Sequence, residues 1–522
     1  MPIQFTGNWL LDIKRLEMKI LNTLQALLND RMERSSQIEA VTGGGVSYTF
    51  EEYAKRIDQL AHYLHRKGIR KGDRVCFICQ NHHHFSTIML AAIKAGAVAV
   101  PLSWQLTSFE LEGILKKAEP KALFFDREFR DIIAAVNVSL EDCLMVESGV
   151  NAKTTQLFED ILASNDGIDL AEQVSEEDLA MILFTSGTTG NPKGCMVGHG
   201  RIYQFLTRRG NRGFDLKGKR YLASHPLYHM SSINHLIAAA IEGYTLVFLH
   251  DATPKRILET IEKERITFMM AFPSAYTYML EEMKRGSYDL SSFEIAISGG
   301  TKVPVRLITD YKEVGIQMMH GYGSTEAWVV SAWHPAMGED KMGSAGKVDP
   351  DVEVKIVHPE TEEALPAGEI GEVVMRSPFY FLGYYHQPEA TEKVLKDGWF
   401  HMGDAGYLDE DGFLYITGRY KDVILYGGDN IYPDQVEEVI DQIPGVIESA
   451  VIGVPDDLYG EVPSAYIVKD ESVDFCEEDV LNYCKERLAD YKVPSIHFTQ
   501  DLPKNKLGKI MKKDLRELVV NA

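Results

Sequence analysis

Through the greater part of the chain, short apolar runs alternate with stretches whose apolar positions recur at helical spacing. Val75 to Ile78 leads into a helical pattern from Phe85 to Ala95, Ala97-Val98-Ala99-Val100 runs up to Pro101, and Ala122-Leu123-Phe124-Phe125 follows Lys116-Lys117. Such alternation predicts parallel sheets covered by helices. Between about 343 and 417 the rhythm changes to short strands with turns, as in Val352 to Val357 and Glu369 to Met375, and predicts a small β-rich subdomain. A last rhythm predicts a compact α+β unit: a helix at about 433–442, strands at Ser449 to Ile452 and Ala465 to Val468, and a helix from Glu477 to Leu488. The boundary falls at Gly418-Arg419-Tyr420-Lys421-Asp422, giving domains 1–418 and 419–522 of an α/β protein. No internal repeat or low-complexity segment interrupts this pattern.

A chain of 522 residues is too long for one core, in accord with that division. The net charge of -23 argues against nucleic acid or an anionic membrane as a partner and requires that anionic substrates be met locally. Six cysteines in so long a chain form no disulfide framework and point to a reducing cytoplasm. Cys76-x-x-Cys79 lies in a strand-like run with no second pair to complete a zinc site. His82-His83-His84 looks like a metal tract, but consecutive helical positions diverge, and a solvated helix start is the expectation. Residues 8–32 read as an amphipathic helix docked on the protein's own core, without the apolar region of a signal peptide; no stretch is apolar enough to span a membrane.

The chemistry starts at Thr185-Ser186-Gly187-Thr188-Thr189-Gly190-Asn191-Pro192-Lys193-Gly194, after the apolar run Ala180 to Phe184. A strand delivering glycines, hydroxyls and one lysine offers backbone N–H groups, side-chain donors and a cation to a polyphosphate. It is not a Walker loop, because Pro192 precedes Lys193 and no Gly-Lys in the chain is followed by Ser or Thr. The order of residues resembles the phosphate loop of the adenylate-forming superfamily, which contains acyl-CoA synthetases, luciferases and the adenylation domains of peptide synthetases. Further motifs follow in the order of that superfamily, and the resemblance covers nearly the whole chain.

Gly321-Tyr322-Gly323-Ser324-Thr325-Glu326 joins an aromatic ring, hydroxyls and a carboxylate. The resemblance assigns Tyr322 to adenine stacking, Thr325 to the phosphates and Glu326 to the Mg2+ that accompanies ATP. Ser298-Gly299-Gly300-Thr301 resembles the segment that runs past adenine and the floor of the acyl pocket, where glycines allow close backbone approach. Asp404 in His401-Met402-Gly403-Asp404, and Arg419 after Gly418, match the segments that hold the ribose. Lys509, in the run from Leu502 to Ile510, matches the catalytic lysine, a cation that would relieve repulsion between a carboxylate and the α-phosphate. His229 ends a segment from His225 that resembles the gate of the acyl pocket. Ser231, Ser232, Asn234, His235 and Trp328 are more polar and bulky than a plain fatty-acyl tunnel needs, which favours a short, polar or aromatic acid, the crotonobetaine/carnitine branch being one example.

The resemblance implies an AMP-forming acid–thiol ligase. A carboxylic acid and ATP, with Mg2+, would give an acyl-adenylate, and the sulfur of coenzyme A would displace AMP. It also implies a mobile C-terminal domain with its hinge at Lys421 and a pantetheine passage at Gly427-Gly428. The rival within the same class loads a free-standing carrier protein. A catalytically silent nucleotide sensor should lack charged groups that are present here as Lys509, Glu326, Asp404 and Arg419. The composition leaves a homo-oligomer open and does not name the acid.

Overall fold

The computed structural model describes residue 23 and residues 36–149, 152–165, 174–185, 192–209, 216–300, 303, 305–358, 361–419, 424–431, 433–470, 473–503, 510 and 512–520. Two sheets form the body of the larger unit. One has six strands in the order Leu144–Ser148, Ala122–Asp126, Arg74–Ile78, Val98–Pro101, Leu179–Thr185, Lys193–Gly198, parallel except for the final antiparallel pair. The other has nine, of which those from Gln317–Ser324 through Ile295–Gly299, Phe268–Ala271, Arg220–Ala223 and Thr245–Phe248 to Glu39–Gly43 are parallel. Antiparallel strands close both of its edges. Parallel strands are buried on both faces, which is why their sequences run apolar without alternation. Phe77 and Phe124 from the smaller sheet share one core cluster with Tyr221 and Phe268 from the larger.

The helix His83–Lys94 lies within that shared core, and every one of its residues is buried. The expectation of a solvated helix start at His82-His83-His84 is therefore wrong. A helix enclosed all round has no wet face, so its first turn must accommodate polar rings in the interior. His82 is the residue before the helix, and its Nε2 sits 2.7 Å from Asp126 Oδ2. The His84 ring stacks on Phe158 at 4.1 Å. Burial depresses the His83 pKa to about 3 and that of His84 well below its ordinary value, so both rings stay neutral. His83, His84 and Glu159 have ligand atoms within 4.8 Å of one another. Both Glu159 oxygens, however, accept from Arg56, at 2.7 and 2.5 Å, so an ion there would have to displace a guanidinium. Cys76 and Cys79 are core residues, as expected.

A third sheet is wholly antiparallel and contains Glu353–Val357, Gly371–Arg376, Leu395–Lys396, Trp399–Leu408 and Leu414–Arg419, the β-rich stretch seen in the sequence. The next strand, Ile424–Tyr426, belongs to a fourth sheet with Asp429–Ile431, Val446–Asp456, Gly460–Lys469 and Ser495–Thr499. That sheet and its helices Pro433–Ile440 and Glu477–Lys485 bury a separate core around Val436, Ile440, Ile467 and Val480. The amphipathic pattern at 8–32, apart from Thr23, lies outside the described residues, as does Lys421. Among the described residues, no helix is long and apolar enough to cross a membrane.

The C-terminal unit docks through a reused helix cap. Thr107 and Glu110 form a capping box on the helix Ser108–Ala118. Glu110 Oε1 also accepts from Lys492 Nζ at 2.8 Å, in a pair whose side chains are 5% and 2% exposed. Thr107 Oγ1 donates to the Arg487 carbonyl at 2.8 Å. Lys492→Met keeps the stem but strands the Glu110 charge, and is expected to weaken this docking by about 3–5 kcal/mol. Hydrogen exchange across 108–118 and 487–493 should accelerate accordingly, and Glu110→Gln combined with Lys492→Met should restore most of the protection. Equal exchange in the single and double variants would remove the pair from the account of docking.

Candidate functional site

Two strands flank the loop expected to hold phosphates. Leu179–Thr185 pairs antiparallel with Lys193–Gly198, and Thr185 lies opposite Lys193. Ser186, Gly187, Thr188, Thr189 and Gly190 lie outside the described residues. The C-terminal foot of the loop is pinned at Pro192, whose carbonyl accepts from Lys117 Nζ at 2.7 Å and from Gln387 Nε2 at 3.2 Å. Partial burial lowers the Lys117 pKa.

Beside it, the ends of neighbouring strands approach so closely that side chains are excluded. Gly299 and Gly321 are register partners, and a Cβ on Gly299 would lie 2.7 Å from the Gly321 carbonyl oxygen. The hairpin of Gln317–Ser324 and Trp328–Trp333 shifts register between Tyr322 and Gly323. A Cβ at Gly323 would lie 1.6 Å from the Trp328 carbonyl oxygen. Trp328 itself adopts φ 66°, a costly conformation for a bulky residue, and its ring is wedged against Phe205 with centroids 4.9 Å apart. Ser324 Oγ accepts from the Ala327 N–H at 3.1 Å and so closes the turn that carries Thr325 and Glu326.

Two residues that the sequence offers separately are joined in space. The Tyr322 hydroxyl donates to Asp404 Oδ2 at 2.6 Å, which links the nine-stranded sheet to the antiparallel one, and Asp404 is buried at 4% exposure. Arg419 is the register partner of Asp404 on the next strand. A second junction was not legible in the sequence. The Tyr384 hydroxyl donates to Glu326 Oε1 at 2.8 Å, and Lys193 Nζ lies 4.9 Å from the centroid of the same ring. The Phe381 N–H donates to the Glu326 carbonyl at 2.8 Å. Arrangements of this kind, with a half-buried carboxylate oriented by a tyrosine hydroxyl and backbone that admits no Cβ, fit Mg2+ and a polyphosphate.

On the opposite flank stand His225, His229 and Phe272. The His225 ring meets Phe272 edge-on at 4.1 Å and His229 at 5.4 Å. Burial, then the neighbouring His229, holds the His225 pKa far below its usual value, so His225 is neutral. Asn81 clamps the segment: its Nδ2 donates to the Ser224 and His225 carbonyls at 2.9 and 3.1 Å, and its Oδ1 accepts from the Leu227 N–H at 3.3 Å. From the C-terminal unit, Gly428 reaches this flank. With φ 102° and a notional Cβ 2.2 Å from the Phe272 ring, position 428 tolerates only glycine. A Cβ on Gly300 would lie 3.7 Å from the Gly428 oxygen, and His229 Nε2 is 3.5 Å from Asp429 Oδ1, an ion-pair separation if the ring is protonated. Gly427 precedes at φ 53°. Phe272 and Asn81 carry no motif in the sequence, and Thr301 and Lys509 lie outside the described residues.

Comparison with known proteins gives this assembly its class. Residues 28–385 match the model of the AMP-binding enzyme family, and residues 435–509 match that of the AMP-binding enzyme C-terminal domain. The protein YdaB of Bacillus subtilis (strain 168) is 51% identical over 96% of this chain and 100% of its own length. A feruloyl-CoA synthase of an Amycolatopsis species is 35% identical over 93% of this chain and 97% of its own. Among solved structures, o-succinylbenzoate CoA synthetase (MenE) from Bacillus subtilis, bound with a product analogue, OSB-NCoA, superposes with TM-score 0.84 at 28% identity, covering 94% of this chain and 98% of that one. ATP-bound MatB from Rhodopseudomonas palustris gives TM-score 0.72 at 30% identity, covering 96% and 99%. The chain belongs to the AMP-binding enzyme family.

Gly323→Ala cannot be accommodated without moving the Trp328 carbonyl, and with it Tyr322. AMP affinity, measured by calorimetry, is expected to fall about tenfold or more, since about 1.4 kcal/mol of misplacement suffices. Gly113→Ala, in open space on a helix, serves as the control and should leave affinity unchanged. Equal affinities for the Gly323 variant and the wild type would refute the close-approach argument.

Proposed function

We propose that the enzyme is an AMP-forming acyl–CoA ligase whose acid is compact and polar or aromatic. The observation that carries the reading is the meeting of Gly428 with Phe272 and Gly300: a glycine of the C-terminal unit lies against the ring that packs beside His225 and His229. A ligase that delivers a thiol to an acyl-adenylate needs such a side-chain-free passage there.

In this reading Tyr322 faces adenine, and Asp404 and Arg419 hold the ribose. The segment from Thr185 to Lys193, with Thr301, Ser324 and Thr325, holds the phosphates. Glu326 holds Mg2+, which supplies charge neutralisation on the polyphosphate. Lys509 stabilises the charge that develops as the carboxylate attacks the α-phosphate and pyrophosphate leaves. The thiol then enters past Gly427-Gly428, attacks the acyl carbon and expels AMP. Lys509 and pantetheine need the same entrance, so the C-terminal unit rotates about Lys421 between the two steps. The acid class draws support from the feruloyl-CoA synthase relative and from buried polar atoms, Ser232 Oγ and Trp328 Nε1, that have no hydrogen-bond partner among the described residues. All six cysteines are free, which suits the reducing cytoplasm.

Pyrophosphate release across a panel of carboxylic acids, with and without coenzyme A, tests the whole reading. Cinnamate-like and short polar acids should be activated well above palmitate, with thioester forming only when coenzyme A is present. Formation of thioester only on a carrier protein would replace this reading with the carrier-loading one.

The two half-reactions should separate cleanly. Lys509→Ala is expected to slow adenylate formation by about 10²–10³-fold while sparing thioester formation from synthetic acyl-adenylate. Gly428→Ala should do the opposite, slowing thioester formation by about 10²-fold and leaving acid-dependent ATP–pyrophosphate exchange intact. If either variant damaged both halves equally, the division between the two flanks would be wrong.

A further inference from the structure

We propose that Tyr384 is a positioning residue that holds the Glu326 carboxylate by its hydroxyl and the Lys193 ammonium by its ring face, so that one side chain sets the geometry of the metal-side and phosphate-side charges together. The inference rests on the reading of Glu326 and Lys193 given above and adds to it a residue with no carboxylate, amine or glycine to mark it.

The hydroxyl donates to Glu326 Oε1 at 2.8 Å, and Lys193 Nζ lies 4.9 Å from the ring centroid, within the range of a cation–π contact. A carboxylate has several lone-pair sites, so the tyrosine donor on Oε1 restrains the rotamer while leaving acceptor capacity for a cation. Glu326 and Lys193 carry opposite charges, and the ring holds them at its edge and its face. The ring is itself over-determined. The Tyr384 N–H donates to Thr391 Oγ1 at 2.9 Å, and Thr391 Oγ1 donates to the Gln387 carbonyl at 3.0 Å. The flanking Leu382 and Tyr385 N–H groups donate to the Met196 and Gly194 carbonyls at 2.9 and 2.8 Å, and the Met196 N–H donates to the Gly383 carbonyl at 3.0 Å. These bonds stitch the segment to the strand Lys193–Gly198, which begins with the lysine in question. Gly383 has φ 121°, and a Cβ there would lie 2.8 Å from Thr391 Cγ2, so the turn that aims Tyr384 requires glycine. Phe381 packs edge-on against the ring at 5.0 Å, and Tyr384 is 6% exposed.

Partners that orient a ligating carboxylate typically change metal affinity by about 10–100-fold when removed. The test is Mn2+ binding, read by electron paramagnetic resonance, to the full-length enzyme saturated with α,β-methylene-ATP. Tyr384→Phe deletes the hydroxyl and keeps the ring: Mn2+ affinity should fall about tenfold, while affinity for the analogue without metal is unchanged. Tyr384→Leu deletes both, and metal-free affinity for the analogue should also fall. Glu326→Gln should weaken Mn2+, and adding Tyr384→Phe to it should cost nothing more. Near-wild-type Mn2+ affinity in Tyr384→Phe, together with a large loss in Glu326→Gln, would overturn the role of Tyr384 and leave that of Glu326 standing. No loss in Glu326→Gln would overturn both. Additive losses in the double variant would show that Tyr384 acts elsewhere. Far-ultraviolet circular dichroism, unchanged in Tyr384→Phe, separates these outcomes from misfolding.

Discussion

Close approach of backbone to backbone at the strand ends is the constraint on which the site depends. Gly299 lies against Gly321 across a parallel pair, and Gly323 lies against Trp328 across a bulged hairpin, with separations that no Cβ permits. Absence of side chains leaves those strand ends as bare edges, so Tyr322, Ser324, Thr325 and Glu326 project from a surface made of main chain. The register shift between Tyr322 and Gly323 decides which of them faces the antiparallel sheet. With Tyr322 turned that way, its hydroxyl reaches Asp404, and two separately folded sheets become one wall. Ligands in open α/β sheets sit beyond the carboxyl ends of the strands, and here those ends are made bare by glycine.

Charge is the second constraint. A protein with a net charge of -23 repels the anions that its family uses, so cations must be concentrated at the site and kept from pairing unproductively. Lys117 is spent on the Pro192 carbonyl, where it holds the foot of the loop. Lys193 presents its ammonium to the face of the Tyr384 ring, 4.9 Å from the centroid.

Local grammar made much of this legible. The alternation of apolar runs and helical patterns reads directly as parallel sheets because buried strands and amphipathic helices differ in period. Loop motifs are equally local, since glycine spacing and nearby hydroxyls are written in consecutive residues. What the sequence hides is pairing at a distance. Tyr384 meets Glu326 across 58 positions, Lys492 meets Glu110 across 382, and Phe272 faces Gly428 from another folding unit, and no spacing rule connects them. The histidine tract failed for the opposite reason. The polarity of His82-His83-His84 reads as solvent exposure, yet its exposure is decided by the position of one helix between two sheets. Burial is a property of the assembled layers, and three polar residues cannot announce it.

The docking of the C-terminal unit shows how such distant pairs serve a mechanism with two positions. A hydrophobic seam of comparable area would hold the unit in place with little regard for angle. A buried ion pair adds little net stability, because desolvation offsets most of its attraction, but it is demanding in geometry. Lys492 must meet a carboxylate that is already committed to the cap of the helix Ser108–Ala118, so the lysine finds a rigid target at one orientation only. At the site itself Gly428 lies against Phe272, and Asp429 lies near His229. A buried ion pair of this kind is specific without being strong. Under the proposed rotation that is the required combination, since the unit must arrive accurately for thiol delivery and must also leave, so that Lys509 can take its turn at the same entrance.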